Sequence, residues 1–206
     1  THWRGDTIAH VWLKARSTAP AQSGELFGAR AAAVGYHPIT GMDAAPTTEQ
    51  LGAVGPWHLR LPHFKLEFTP SNGAELQSEY FVPRKDGPAA LQALHAVQDR
   101  FAGHLMVGEL RTIAADELWL SSAYRQDCLA FHFTWHPDWP AVQQVLPVIE
   151  AALGPFGVRP HWGKLFTMPK AEIATRWSRL GDFRALAGRY DPTGKFRNDF
   201  LAATVF

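Results

Sequence analysis

Cysteine is nearly missing from this sequence of 206 residues, where Cys128 stands alone. A lone thiol builds no disulfide framework, and its apolar setting in DCLAFHF fits a reducing, cytoplasmic setting or a buried, inert sulfur. Long apolar runs are missing too. No stretch of about 18 residues reads as a membrane span, and no signal-peptide pattern is found. Charge of one sign is scarce: the formal net charge is +1, and no Lys/Arg run exceeds Arg84-Lys85. That excludes a phosphate-neutralising stripe and argues against nucleic acid as a partner. GxGxxG and GxxxxGK[ST] are both absent, so the chain carries no nucleotide-binding loop of its own, and no GxSxG turn supports Ser-His-Asp chemistry.

Aromatic residues, by contrast, are plentiful, with 8 Trp and 13 Phe. Such rings fill cores, and they also line ligand cavities and interfaces. With 46% hydrophobic and 19% charged residues the chain is of ordinary globular composition, long enough for one substantial core or a core with an extension. It opens on Thr1 instead of Met and reads as a processed or truncated piece of something longer.

Along the chain, the alternation of Ile8, His10 and Trp12 with Ala9, Val11 and Leu13 predicts an extended ribbon. A Pro/Gly/Thr/Ala-rich stretch follows from Ser17 to about Pro56, of the kind that is functional or packed against another surface. HFKLEFT alternates with Phe64, Leu66 and Phe68 on one side, Pro70 to Gly73 supply a turn, and ELQSEYFVP continues as a second strand. Pro88 opens a helix with Leu91, Leu94, Val97 and Phe101 on one apolar face and Gly103 as its C-terminal cap. LMVGELRTIA and DCLAFHFTW are strand candidates. A second helix is expected over Trp139 to Leu153 with a kink at Pro147, a third from Pro169 to about Trp177, and a last one capped by Asp182 and running through Tyr190. Strands paired like hairpins with helices inserted between them predict an α+β fold, an antiparallel sheet covered by helices.

In LMVGELRTI, period two puts Val107, Glu109 and Arg111 on one face and Met106, Gly108, Leu110 and Thr112 on the other. The carboxylate and guanidinium then project together from Cα atoms about 7 Å apart. They are either a surface ion pair contributing about 0 to 1 kcal/mol or a polar floor for a hydroxylated ligand, Glu109 accepting and Arg111 donating. In DCLAFHFTW, Leu129, Phe131, Phe133 and Trp135 form an apolar face, so Ala130, His132 and Thr134 turn the other way. Were the two strands neighbours, Glu109, Arg111, His132 and Thr134 would share one patch.

RPHWGKLFT, residues 159 to 167, sets Lys164 among Trp162, Leu165 and Phe166. Its ammonium is either a partly desolvated cation able to polarise a hydroxyl or the wet end of a stem lying over apolar surface. A metal site built from His132, His136 and His161 is disfavoured. A four-residue spacing on a strand sets imidazoles about 13 Å apart, and no Cys or acidic cluster supports it.

Taken in order, ELRTIAADELWLSSAY, LAFHFTW, RPHWGKLFT and RYDPTGKFRNDFL resemble the C-terminal half of the alditol oxidases, which act on xylitol and sorbitol. These are flavoenzymes of the vanillyl-alcohol oxidase type, closely related to the aldonolactone oxidases. PHWGK with a downstream DPxGKFxN is shared across that wider group, whereas HFTW and GPWHLRLPHFKLEFTPS look specifically like alditol oxidases. The likeness runs from about Trp57 to Leu201.

The resemblance implies FAD-dependent oxidation of the terminal primary alcohol of an alditol by hydride transfer to flavin, with O2 reduced to H2O2. It implies that Glu109, Arg111, Thr134 and His132 bind the polyol, that Lys164 with Arg111 polarises the reacting hydroxyl, and that His161 lies against the flavin. It also implies that residues 1–180 form a substrate-binding cap and that 181–206 return to an FAD-binding domain. Nothing in the chain resembles that N-terminal domain, so it is expected as a partner segment. The alternatives are an aldonolactone oxidase, against which the HFTW region argues, and a cap-like module that binds sugars or a protein without turnover.

Overall fold

Aromatic alternation in Cys128–Trp135 dictates the centre of the architecture. A computed structural model describes residues 2–5, 10–20, 25–39, 41–60, 65 and 74–206. The chain divides into two compact units, Ile8–Ala74 and the remainder, Thr1–Thr7 with Glu75–Phe206. Within Ile8–Ala74 the regular structure described is a short hairpin, β1 (Glu25–Leu26) and β2 (Ala29–Arg30), turned by Phe27 and Gly28 at φ 50° and 81°, and one 3-10 turn, Trp57–Leu59. His10 and Trp12, expected on a ribbon, pair with no strand among the described residues. Instead the His10 ring stacks 4.8 Å from Tyr36, and Trp12 Nε1 donates to Gln50 Oε1 at 3.2 Å. Ile8, the strand expected around Phe64, Leu66 and Phe68, and the turn from Pro70 to Gly73 lie outside the described residues.

The larger unit is α+β. Strands β3 (Leu76–Pro83), β4 (Leu105–Ile113), β5 (Cys128–Trp135) and β6 (Arg159–Pro160) form an antiparallel sheet in the order β4-β5-β3-β6. On one face Tyr80, Val82, Phe131, Phe133 and Trp135 are buried. Phe133 and Trp135, two residues apart and so on the same side of the pleat, stack at 5.2 Å with planes 7° apart. The register of β4 slips between Leu105 and Val107. The extra residue, Met106, lets Leu105 pair with Trp135 on the core side while Val107, Glu109 and Arg111 face the other way.

Helices α1 (Gly87–Ala96) and α2 (Trp139–Leu153) contribute Ala90 and Leu94, and Val142, Val145, Leu146, Ile149 and Leu153, to the same core. The expectation that α1 runs on past Phe101 to a Gly103 cap is corrected. It ends at Ala96 because Val97 leaves helical geometry (φ −114°, ψ 8°), and two 3-10 turns, Gln98–Arg100 and Ala102–His104, follow. These turns bring Phe101 edge-on to Phe133 at 5.6 Å, fully buried, so tertiary packing outweighs the helical period. α2 has the expected bounds and is continuous through Pro147, and the Asp138 side chain accepts from Ala141 N at 3.2 Å as its cap.

Beyond β6 come α3 (Lys170–Arg176), α4 (Leu180–Tyr190) and α5 (Asp199–Thr204). Asp182 is not the cap of α4. The chain enters the helix at Arg179, and Asp182 sits in the first turn, where a carboxylate suits the positive end of the helix dipole and accepts from Arg179 Nε at 2.5 Å. Nor is α4 the last helix. Asp191 closes a turn by accepting from Lys195 N and Phe196 N, and Asn198 then caps α5 through Leu201 N at 2.9 Å. Leu180 and Val205 are buried in the sheet's core cluster, with Phe183, Leu201 and Phe206 packed against it.

Candidate functional site

The second face of the sheet is polar where three strands align. Glu109 pairs with His132 on β5, and His132 pairs on its other side with Glu79 on β3, so one row crosses the sheet. The adjoining rows place Arg111 beside Ala130 and Phe81, and Val107 beside Thr134 and Gln77. At one end this face closes over a small apolar cluster of Phe81, Ala123, Cys128 and Ala130. Burial pushes the Cys128 thiol up, so it is a packing residue.

Lys164 reaches the row because its loop is tied to β3 at two points. His161 N donates to Glu79 O at 2.9 Å and Leu165 N donates to Gln77 O at 2.9 Å. The three residues between them loop out, and Lys164 N closes the turn on His161 O at 3.1 Å. Trp162 anchors the loop from behind, donating to Leu120 O at 2.8 Å and lying 4.4 Å from Trp177. The aromatic flank expected to desolvate Lys164 therefore also fixes its backbone.

The side chains form one network. Arg111 Nη1 donates to Glu79 Oε1 at 2.8 Å, and its Nη2 and Nε donate to Glu109 Oε2 at 2.7 and 3.1 Å. Lys164 Nζ lies 3.2 Å from Glu79 Oε2 and 2.9 Å from His132 Nδ1. His132 Nε2 in turn lies 3.2 Å from Thr134 Oγ1. Exposure is graded: Glu79 and His132 are nearly closed off (5% and 4%), Lys164 is 18% exposed, and Arg111 and Glu109 are about a third open (34% and 36%). The face thus has a dry floor and a wet rim.

Burial pushes the Glu79 carboxyl up, but its neighbours more than reverse this and hold it at about 2, well below the ordinary 4.5. His132 Nδ1 stands 3.8 Å from Glu79 Oε2, too long for a hydrogen bond, so the Lys164 ammonium and the Arg111 guanidinium carry the depression. Burial also pushes His161 down, assisted by Lys164 and opposed by Glu79, which keeps its imidazole neutral. His161 Nδ1 accepts from Gly163 N at 3.0 Å, so its proton sits on Nε2, and the ring stacks 6.2 Å from Phe81.

The structure brings Glu109, Arg111, His132, Thr134 and Lys164 together, with His161 joined through its backbone to Glu79. The Glu109–Arg111 pair is more than a lone surface ion pair, because Arg111 bridges two carboxylates. Glu79 was missed by the reading of the sequence. Its signal lies in ELQSEYFVP: with Tyr80 and Val82 facing the core, Glu79 must share the face of His132. Among the described residues no group of three or more His, Cys, Asp or Glu is placed to hold a metal ion.

Residues 72–204 match the family model described as D-arabinono-1,4-lactone oxidase. The chain is 49% identical, over 98% of its length, to an alditol oxidase from Streptomyces sp. (strain IKD472 / FERM P-14339), of which it covers 48%. It is 30% identical over 60% of its length to an L-gulono-1,4-lactone dehydrogenase from Mycobacterium tuberculosis (strain ATCC 25618 / H37Rv), covering 29% of that protein. To an L-gulonolactone oxidase from Scyliorhinus torazame it is 29% identical over 63% of its length, covering 30% of it. The chain therefore spans about half the length of the alditol oxidase and under a third of the L-gulono-1,4-lactone dehydrogenase and the L-gulonolactone oxidase.

Proposed function

Because the chain belongs to the D-arabinono-1,4-lactone oxidase family, we propose that it is the substrate-binding half of an FAD-dependent alditol oxidase. The observation that carries this reading is the pairing of two fixed cations, Lys164 and Arg111, with a partly open carboxylate, Glu109, on one sheet face. The greater identity to the alditol oxidase, over nearly the whole chain, favours an alditol over a lactone as substrate.

When bound, the flavin supplies the acceptor for hydride from the terminal carbinol carbon of an alditol such as xylitol or sorbitol, and O2 takes the electrons to give H2O2. The chain's own residues do the rest. Lys164 and Arg111 donate hydrogen bonds to the reacting oxygen, so negative charge developing there meets cations already in place. Glu109 accepts from a neighbouring hydroxyl, and Thr134, with His132 behind it, orients a further one. The low exposure of Glu79 and His132 excludes water from beneath the substrate.

The residues present fit the cofactor: a half-buried neutral imidazole at His161 and two cations at a partly open rim suit a planar acceptor that gains negative charge. His161 is the residue of this chain that would lie against it. With no glycine-rich phosphate loop in the sequence, FAD would be held mainly by an N-terminal domain outside this chain. In this reading residues 1–180 act as the cap, and 181–206 return to that domain, a role that suits the exposure of Tyr190 (77%) and Phe196 (76%). No described helix is long and apolar enough to cross a membrane. A lone, buried thiol at Cys128, with no second cysteine to pair with, suits a reducing, cytoplasmic setting.

The test mixes the FAD-loaded protein, with its N-terminal part present, anaerobically with xylitol, sorbitol or an aldonolactone. Bleaching of the flavin by an alditol, with peroxide on admitting air, is the expected outcome. Faster bleaching by the lactone makes it an aldonolactone oxidase, and no bleaching by either makes the chain a binding module.

A further inference from the structure

We propose that Glu79 is a positioning residue: its buried carboxylate holds Lys164 as a donor to His132, which leaves Thr134 to present a hydrogen-bond donor to the alditol. The inference rests on the reading above that this face binds an alditol. It adds a residue that touches no substrate and a direction for every proton in the row.

An ammonium has three donors and no acceptor, so His132 Nδ1, 2.9 Å from Lys164 Nζ, must accept. An imidazole with its lone pair on Nδ1 carries its proton on Nε2. That nitrogen is 3.2 Å from Thr134 Oγ1 and donates to it. A hydroxyl that accepts from behind keeps its own proton for an acceptor in front. Donation therefore runs from Lys164 through His132 to Thr134 and on to a ligand oxygen.

Glu79 starts the row. The groups facing it are Arg111 and Glu109 on β4, His132 on β5, and Lys164 and His161 on the loop after β6. With both imidazoles neutral, two cations balance two carboxylates. Glu109 is already taken up by two N–H donors of Arg111, so Glu79, 3.2 Å away, is the carboxylate that holds the Lys164 ammonium in place. Without it the cluster gains a net positive charge, and Lys164 loses the carboxylate that anchors it 3.2 Å away.

The test reads the His132 tautomer by long-range 1H–15N spectra of the flavin-loaded, histidine-labelled protein, and sets it beside kinetics with xylitol. At pH 7 the wild type is expected to show neutral His132 with its proton on Nε2. Glu79→Gln is expected to mix in the Nδ1–H form and to lower kcat by about tenfold or more, with Glu79→Asp recovering part of both. Thr134→Val is expected to raise KM in the wild type and to do so less in the Glu79→Gln background, a non-additivity that a purely structural Glu79 would not produce. If Glu79→Gln fails to fold, Lys164→Met must release the tautomer in the same way. A wild-type His132 protonated on Nδ1, or a Glu79→Gln protein with the Nε2–H form intact and additive kinetics, overturns the proposal. If the wild type oxidises no alditol, the functional reading and the Thr134 role fall, while the tautomer still decides the role of Glu79.

Discussion

Lys164 Nζ and His132 Nδ1 meet at 2.9 Å across 32 residues of sequence, and the same ammonium lies 3.2 Å from Glu79 Oε2. Lys164 is thus neither a stem lying over apolar surface nor a free cation. It is fixed on two sides before any substrate arrives, as a group that must stabilise charge at the moment of reaction needs to be.

Replacing Lys164 by Met therefore removes a preorganised donor with little change in side-chain volume. Flavin reduction by xylitol, followed by stopped-flow absorbance, is expected to slow by about 100-fold or more. An unchanged rate would remove Lys164 from the chemistry.

The faces of β5 were legible because Phe131, Phe133 and Trp135 alternate with Ala130, His132 and Thr134, and only one assignment buries the rings. The pairing of β4 with β5 was only a condition in the sequence, and the structure meets it by setting Glu109 opposite His132. The polar face of Glu79 was legible in ELQSEYFVP, but its place in the site was not, because that depends on β3 lying on the far side of β5, a non-local pairing that no local period encodes. The end of α1 was hidden for a similar reason, Phe101 obeying Phe133 instead of the helix. α5, only six residues after a turn, offers too short a period to read.

The depressed Glu79 carboxyl ties stability to pH. A group held at about 2 in the folded chain against an ordinary 4.5 contributes stability that is present above pH 4.5 and is lost as pH falls toward 2. Melting curves are expected to show Glu79→Gln clearly less stable than wild type at pH 7, with the gap narrowing steadily below pH 4.5. A gap independent of pH would show that the carboxylate's charge is not what stabilises the fold.

Glu109 behaves differently because it is over a third exposed and Arg111 keeps Glu79 as a second partner. Loss of a rim ion pair costs about 0 to 1 kcal/mol, so Glu109→Ala is expected to melt close to wild type. Its effect should appear as a raised KM for xylitol with kcat changed much less. A large fall in melting temperature with KM unchanged would make Glu109 a structural residue.

Gly108 tests the packing beneath the site. It pairs with Phe133 on the core face of β4, and a Cβ there would come within 2.6 Å of Trp3 Nε1 and 3.1 Å of its Cδ1. Trp3 cannot retreat cheaply, since it is buried with its ring 6.0 Å from Phe133 and 5.6 Å from Phe101. Gly108→Ala is therefore expected to destabilise by about 1 to 3 kcal/mol, the usual cost of overpacking a filled core. Glu109 follows directly in the strand, so a displaced β4 should also raise the KM for xylitol. A Gly108→Ala protein with an unshifted melt would mean that Trp3 does not hold this strand, and that the rim is positioned by β5 alone.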